Sequence, residues 1–108
     1  MKNILEKGEN MKINIHNREY EFLEVEARSP MLVYGDVIGT CDHHNFRIVI
    51  NKDLNVQLKK ETLIHELTHA FLKTYDIQYD NDTYDEEQVC NFLSKYAADI
   101  LEIANKIY

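Results

Sequence analysis

Three side chains in this chain could do metal chemistry together. His65, Glu66 and His69 form the pattern His-Glu-x-x-His inside Glu61-Thr62-Leu63-Ile64-His65-Glu66-Leu67-Thr68-His69-Ala70-Phe71. On a helix, residues four apart share a face, so both imidazoles point the same way and can hold one zinc ion. Glu66 then stands where a general base is needed, beside a metal-activated water. The bland alternative is an amphipathic core helix with two histidines at its rim. Context favours the metal. The window has no Gly or Pro, and Leu63, Ile64, Leu67, Ala70 and Phe71 recur at three- and four-residue spacing, which is one apolar helical face.

A catalytic zinc usually takes three protein ligands and leaves one position open. A histidine six residues beyond His69 would complete one such set, but position 75 is Tyr75. The third ligand is therefore expected to be a carboxylate further on, and Asp85, Glu86 and Glu87 open the last helix. The stripe Val89, Leu93, Tyr96, Ala97, Ile100 and Ala104 marks that helix's expected inward face. Glu86 falls on the stripe, Glu87 at its rim and Asp85 off its centre. Glu86 is the expected ligand and Glu87 the fallback. The competing role for Glu86 is a capping box, Thr83-x-x-Glu86. Tyr34, His44 and Tyr75 are candidates to stabilise an oxyanion.

The elements that must position these groups read as an α+β domain. A small antiparallel or mixed sheet of about three strands packs on the His-Glu-x-x-His helix and a C-terminal helix, the minimal zincin-like arrangement. Met11 to His16 alternates with period two, Asn17-Arg18 reads as a tight turn, and Tyr20 to about Glu26 reads as the hairpin partner. Ser29-Pro30 breaks the pattern. Met31 to Ile38 reads as a bulged strand or a loop crossing the sheet, and residues 39–45 as a polar loop with His43 and His44 exposed. Phe46 to Ile50 is the strongest strand, and its edge is expected to offer itself to an extended substrate. Asp53 or Asn55 can cap the metal-site helix, which should run to about Thr74. An acidic connection, Tyr75 to Asp82, leads to a last helix from about Tyr84.

The 108 residues hold one domain, expected over 11–108 after a polar tail at 1–10. A net charge of −7 argues against binding nucleic acid or an anionic membrane through a basic surface. No apolar run approaches the roughly 20 residues of a membrane span, and residues 1–6 lack the core of a signal peptide. A cytoplasmic protein is expected, with Cys41 and Cys90 as free thiols.

The segment Thr62 to Phe71 followed by Glu86-Glu87-Gln88-Val89-Cys90-Asn91-Phe92 resembles the ImmA/IrrE-type zinc metallopeptidases, most closely the small versions of prophages and mobile elements. Glu86, Val89 and Phe92 match the register of that family's later helix. The family's Leu-Leu-Met-Pro ending is replaced here by Tyr96-Ala97-Ala98-Asp99-Ile100. The resemblance implies His65, His69 and Glu86 as zinc ligands and Glu66 as catalytic acid/base. It implies a protein or peptide substrate such as a repressor. A catalytically inactive zinc-binding partner protein is the alternative.

Overall fold

The computed structural model describes residues 11–74 and 85–108. It has four strands, β1 (Met11–Ile15), β2 (Arg18–Val25), β3 (Gly39–Asp42) and β4 (Arg47–Asn51), and two helices, α1 (Val56–Thr74) and α2 (Glu86–Ile107). The strands form one mixed sheet in the order β1-β2-β4-β3. The expected α+β class holds, with one strand more than the sequence reading. The tail at 1–10 and the acidic connection at 75–82 lie outside the described residues. No helix among the described residues is long and apolar enough to cross a membrane.

The β1–β2 hairpin pairs Ile15 with Arg18. Its two-residue turn is therefore His16-Asn17, one position earlier than Asn17-Arg18. Both turn residues have positive φ, 51° and 63°. That is the turn whose twist suits a hairpin, and Asn tolerates the left-handed conformation well. Tyr20 and Phe22 then fall on the same face as Ile13 and Ile15, and all four are buried. A register one residue away would turn that set to solvent.

β4 runs parallel to β2 and antiparallel to β3. It is an interior strand with no free edge, which corrects the expectation that Phe46 to Ile50 would offer one. The edge beside α1 belongs to β3, in the stretch read as a polar loop. Gly39 and Asp42 are of types that strands disfavour, and Thr40 is the one strong strand former of the four. Pairing of Gly39 with Ile50 and Cys41 with Ile48 makes the strand. Asp42 closes the hairpin, its carboxylate accepting from the backbone N–H groups of His44 and Asn45 and from Asn45 Nδ2.

Between β2 and β3, Pro30–Gly35 forms a 3-10 segment capped by Ser29 and broken within it by Val33 and Tyr34, which are left-handed. This is the crossing loop rather than the bulged strand. Leu32 is buried and sits outside the main core cluster, while Val33 and Tyr34 are exposed.

The core lies between the sheet and the helices. Ile48 and Ile50 share one buried cluster with Leu63, Leu67, Ala70 and Phe71 of α1 and with Phe92, Ile100, Ala104 and Ile107 of α2. Glu24 ties three elements at the far end. It accepts from Lys59 Nζ at 3.0 Å and from the Tyr108 hydroxyl, so β2, α1 and the end of α2 meet on one carboxylate.

Candidate metal centre

α1 begins where Asn55 Oδ1 accepts the backbone N–H of Leu58 at 2.9 Å. Asn55, not Asp53, is the capping side chain, and the helix then runs without Gly or Pro to Thr74 as expected. Its buried face is wide. Leu63, Leu67, Ala70 and Phe71 enter the core, and Thr62 and Glu66 are buried beside them. His65 and His69 stand on the adjoining exposed face.

The two Nε2 atoms lie 3.3 Å apart. Two imidazole nitrogens held about 2.0–2.1 Å from one tetrahedral zinc would be about 3.3–3.4 Å apart, so the pair already has the spacing of adjacent ligands. Ligand atoms of His65, Glu66 and His69 all lie within 4.8 Å of one another. Among the described residues this is the one such group of three. Donor chemistry and spacing both fit zinc.

Glu66 is only 7% exposed and has no hydrogen-bond partner among the described residues. Burial pushes its carboxyl above the ordinary carboxylate range, and the nearby His65 and His69 partly offset that. No fully buried side-chain oxygen among the described residues lacks a partner, so the Glu66 carboxylate reaches the neighbouring cleft, where a perturbed acid can meet a ligand.

Gly39 lets β3 approach this part of the helix. A Cβ there would lie 2.5 Å from Thr62 Cγ2 and 3.3 Å from Glu66 Oε2. Thr62 cannot turn its methyl away cheaply, because its hydroxyl donates to the Leu58 carbonyl at 2.7 Å. A cleft of about 500 Å³ opens between residues 36–39 on one side and Glu61, Thr62, His65 and Glu66 on the other.

Further along β3, Cys41 shares the α1-facing side with Gly39. Burial, then the charges of Glu66 and Asp42, push its thiol up to about 12. Its Sγ lies 3.7 Å from His43 Nδ1. The His43 imidazole is half-buried, and burial, then Lys73 and His69, hold its pKa below the usual histidine value. His44 is exposed, as expected, but His43 is not a free turn residue: it belongs to the flank of the centre. The spacing Gly39-x-Cys41-x-His43 was the available sequence signal, a period of two running off the edge strand.

Glu86 is the first residue of α2, exposed, and outside the group of three. It is not the capping residue. Asp85 Oδ1 accepts from the Gln88 N–H at 2.8 Å, and Gln88 Oε1 accepts from the Asp85 N–H at 3.0 Å. The capping box is thus Asp85-x-x-Gln88, and Thr83 lies outside the described residues. The inward stripe also differs from the expected one. Phe92, Ile100, Ala104 and Ile107 are buried, whereas Val89 and Leu93 are 43% and 51% exposed. Aromatic packing explains the rotation: Tyr96 meets both Phe71 and Phe92, at 6.0 and 5.3 Å between ring centroids. Glu87 is likewise exposed. Of the three oxyanion candidates, Tyr34 is 66% exposed and does not line the cleft, nor does His44. Tyr75 lies outside the described residues.

No curated protein and no solved structure matches the chain. A family does: the IrrE N-terminal-like domain matches residues 24–101, from within β2 to near the end of α2. That span carries the edge strand, the paired histidines and the buried glutamate, and on it the chain belongs to this peptidase family.

Proposed function

We propose that this chain is a zinc-dependent endopeptidase acting on a protein substrate, with His65, His69 and Glu86 as metal ligands and Glu66 as general base. The observation that carries the reading is the 3.3 Å approach of two imidazole nitrogens next to a largely buried carboxylate. Glu86 is supported as third ligand by its release from capping, which Asp85 and Gln88 perform. The family resemblance points to a regulatory protein, such as a prophage or mobile-element repressor, as the substrate.

A bound zinc supplies an acidified water and polarises the scissile carbonyl. The chain's own residues do the rest. Glu66 takes a proton from the attacking water and passes it to the leaving amine. Its raised proton affinity suits that exchange better than an ordinary carboxylate would. β3 holds the substrate. Asn51 N–H donates to the Ile38 carbonyl, so residues 38, 40 and 42 turn their backbone groups toward β4. Gly39 and Cys41 therefore turn theirs to the edge left unpaired among the described residues, where an extended peptide can pair as an added strand. Gly39 adjoins Glu66, which sets that peptide beside the base.

Glu66→Gln is the test. Zinc content by metal analysis should stay at one equivalent, and peptide cleavage should fall roughly 100- to 10,000-fold. Protein that holds no zinc, or a variant that cleaves as well as its parent, would remove this reading.

A further inference from the structure

The cleft beside the candidate metal centre has a graded lining, and the peptidase reading leaves its outer part, Asp36, Val37 and Glu61, without a role. At one end are His65 and Glu66. One helical turn away, about 6 Å along α1, stands Glu61. On the facing wall the chain runs from Gly39, against Glu66, back through Ile38 and Val37 to Asp36. The cleft thus passes from the buried carboxylate, along an aliphatic wall, to two exposed carboxylates.

Each part of that wall is fixed before any ligand arrives. Asp36 N–H donates to the Val33 carbonyl, Val37 N–H to the Leu32 carbonyl, and the Ile38 carbonyl accepts from Asn51. Val37 and Ile38 are nonetheless 37% and 44% exposed, apolar surface left open at a cleft mouth. Asp36 and Glu61 take part in no ion pair among the described residues. At the inner end Glu66, buried and without a hydrogen-bond partner among the described residues, lines the same space.

Resting on the peptidase reading, we propose that this cleft is the subsite for an arginine or lysine side chain of the substrate. The alkyl stem lies on Val37 and Ile38, and the cationic head reaches Asp36 and Glu61. Long basic side chains are the ones with an apolar stem and a charged tip, so they match a wall that is aliphatic inside and acidic outside. An aliphatic residue would cover Val37 and Ile38 but leave the carboxylates unused. An acidic residue would meet like charge. Arginine fits best, because its planar fork can engage two carboxylate oxygens together.

The test uses zinc-loaded, ¹⁵N-labelled Glu66→Gln protein, which should bind peptide without turning it over. It is titrated with capped pentapeptides of alanine around a central arginine, leucine or glutamate. The arginine peptide should bind about fivefold more tightly than the leucine peptide, the scale of one partly exposed ion pair. The glutamate peptide should bind weakest. Amide shifts should centre on Val37, Ile38 and Glu61, and about 1 M salt should erode the preference. Asp36→Asn with Glu61→Gln should bring the arginine peptide down to the leucine value. Equal affinity for arginine and leucine, shifts centred elsewhere, a preference that survives the double substitution, or no binding of any peptide would overturn the subsite. The two proposals fail separately. Hydrolysis by the parent protein without arginine preference removes the subsite alone. Arginine selectivity in a protein that takes up zinc but never hydrolyses removes the catalysis alone.

Discussion

At the scale of single residues, His65 and His69 should be indispensable for metal and Glu66 for turnover. His65→Ala or His69→Ala should each lose zinc on dialysis, read by metal analysis, because two nitrogens 3.3 Å apart act as one grip. Glu66 should also leave a mark on stability. Its folded pKa is raised above the unfolded value, first by burial. The folded state then binds more protons, so stability contributed by the protonated form is present below the ordinary carboxylate pKa. It is lost as pH rises through the folded value. Metal-free protein should therefore weaken over that window in urea melts, and Glu66→Gln should flatten the loss and raise Tm at neutral pH. The thiols offer a second check. Cys41 is half-buried with its pKa pushed up to about 12, whereas Cys90 is exposed. Alkylation at pH 8, followed by mass spectrometry, should label Cys90 on the order of 100-fold faster, since the thiolate is the nucleophile.

At the scale of elements, the β3–α1 contact and the start of α2 decide whether the residues meet. Gly39→Ala should destabilise by about 1–3 kcal/mol in urea unfolding, because its Cβ would fall 2.5 Å from a threonine methyl pinned by its own hydroxyl. Adding Thr62→Ser removes that methyl and should recover most of the loss. Without recovery, the close approach is not what the glycine is for. At α2, Asp85→Ala removes the bond from the Gln88 N–H to Asp85 Oδ1 and should cost about 1 kcal/mol. If Glu86 is the third ligand, the frayed first turn should also weaken zinc in a chelator competition. The capping box offered as the competing role for Glu86 falls two residues away from the observed one for a specific reason. Thr83 and Asp85 each head a pattern that a glutamate or glutamine three residues on can complete, and local sequence does not choose between them.

For the whole molecule, Glu24 is the point at which the sheet and both helices are joined. Its side chain and that of Lys59 are 12% and 16% exposed, and the Tyr108 hydroxyl donates to the same carboxylate. Glu24→Ala leaves Lys59 without its partner and should cost about 3 kcal/mol. Tyr108→Phe, which removes one hydrogen bond and keeps the ring against Phe22, should cost about 1 kcal/mol. Both are read as shifts of the urea midpoint. His65 and His69 follow Lys59 on α1 by six and ten residues, about 9 and 15 Å along the helix, so each variant should keep its zinc equivalent while losing stability. Loss of zinc along with stability would mean that the two regions do not melt independently.

The sequence by itself determined the helix and what it carries. The period of 3.6 and the spacing of four are properties of one continuous segment, so His65, Glu66 and His69 could be placed on α1 without tertiary knowledge. Alternation likewise marks β1, the apolar positions Tyr20, Phe22, Leu23 and Val25 mark β2, and the continuous apolar run Ile48-Val49-Ile50 marks β4. Only the tertiary structure decided that residues 39–42 are a strand, because Gly39 and Asp42 at its ends disfavour one and the pairing energy comes from β4. It also decided that Val89 and Leu93 face outward. An amphipathic stripe is about as wide as the partner that covers it, and Phe71 with Tyr96 sets that width. The cleft between residues 36–39 and α1 joins segments more than twenty residues apart in sequence. Its lining follows from a close approach that a single glycine permits, and no local pattern encodes it.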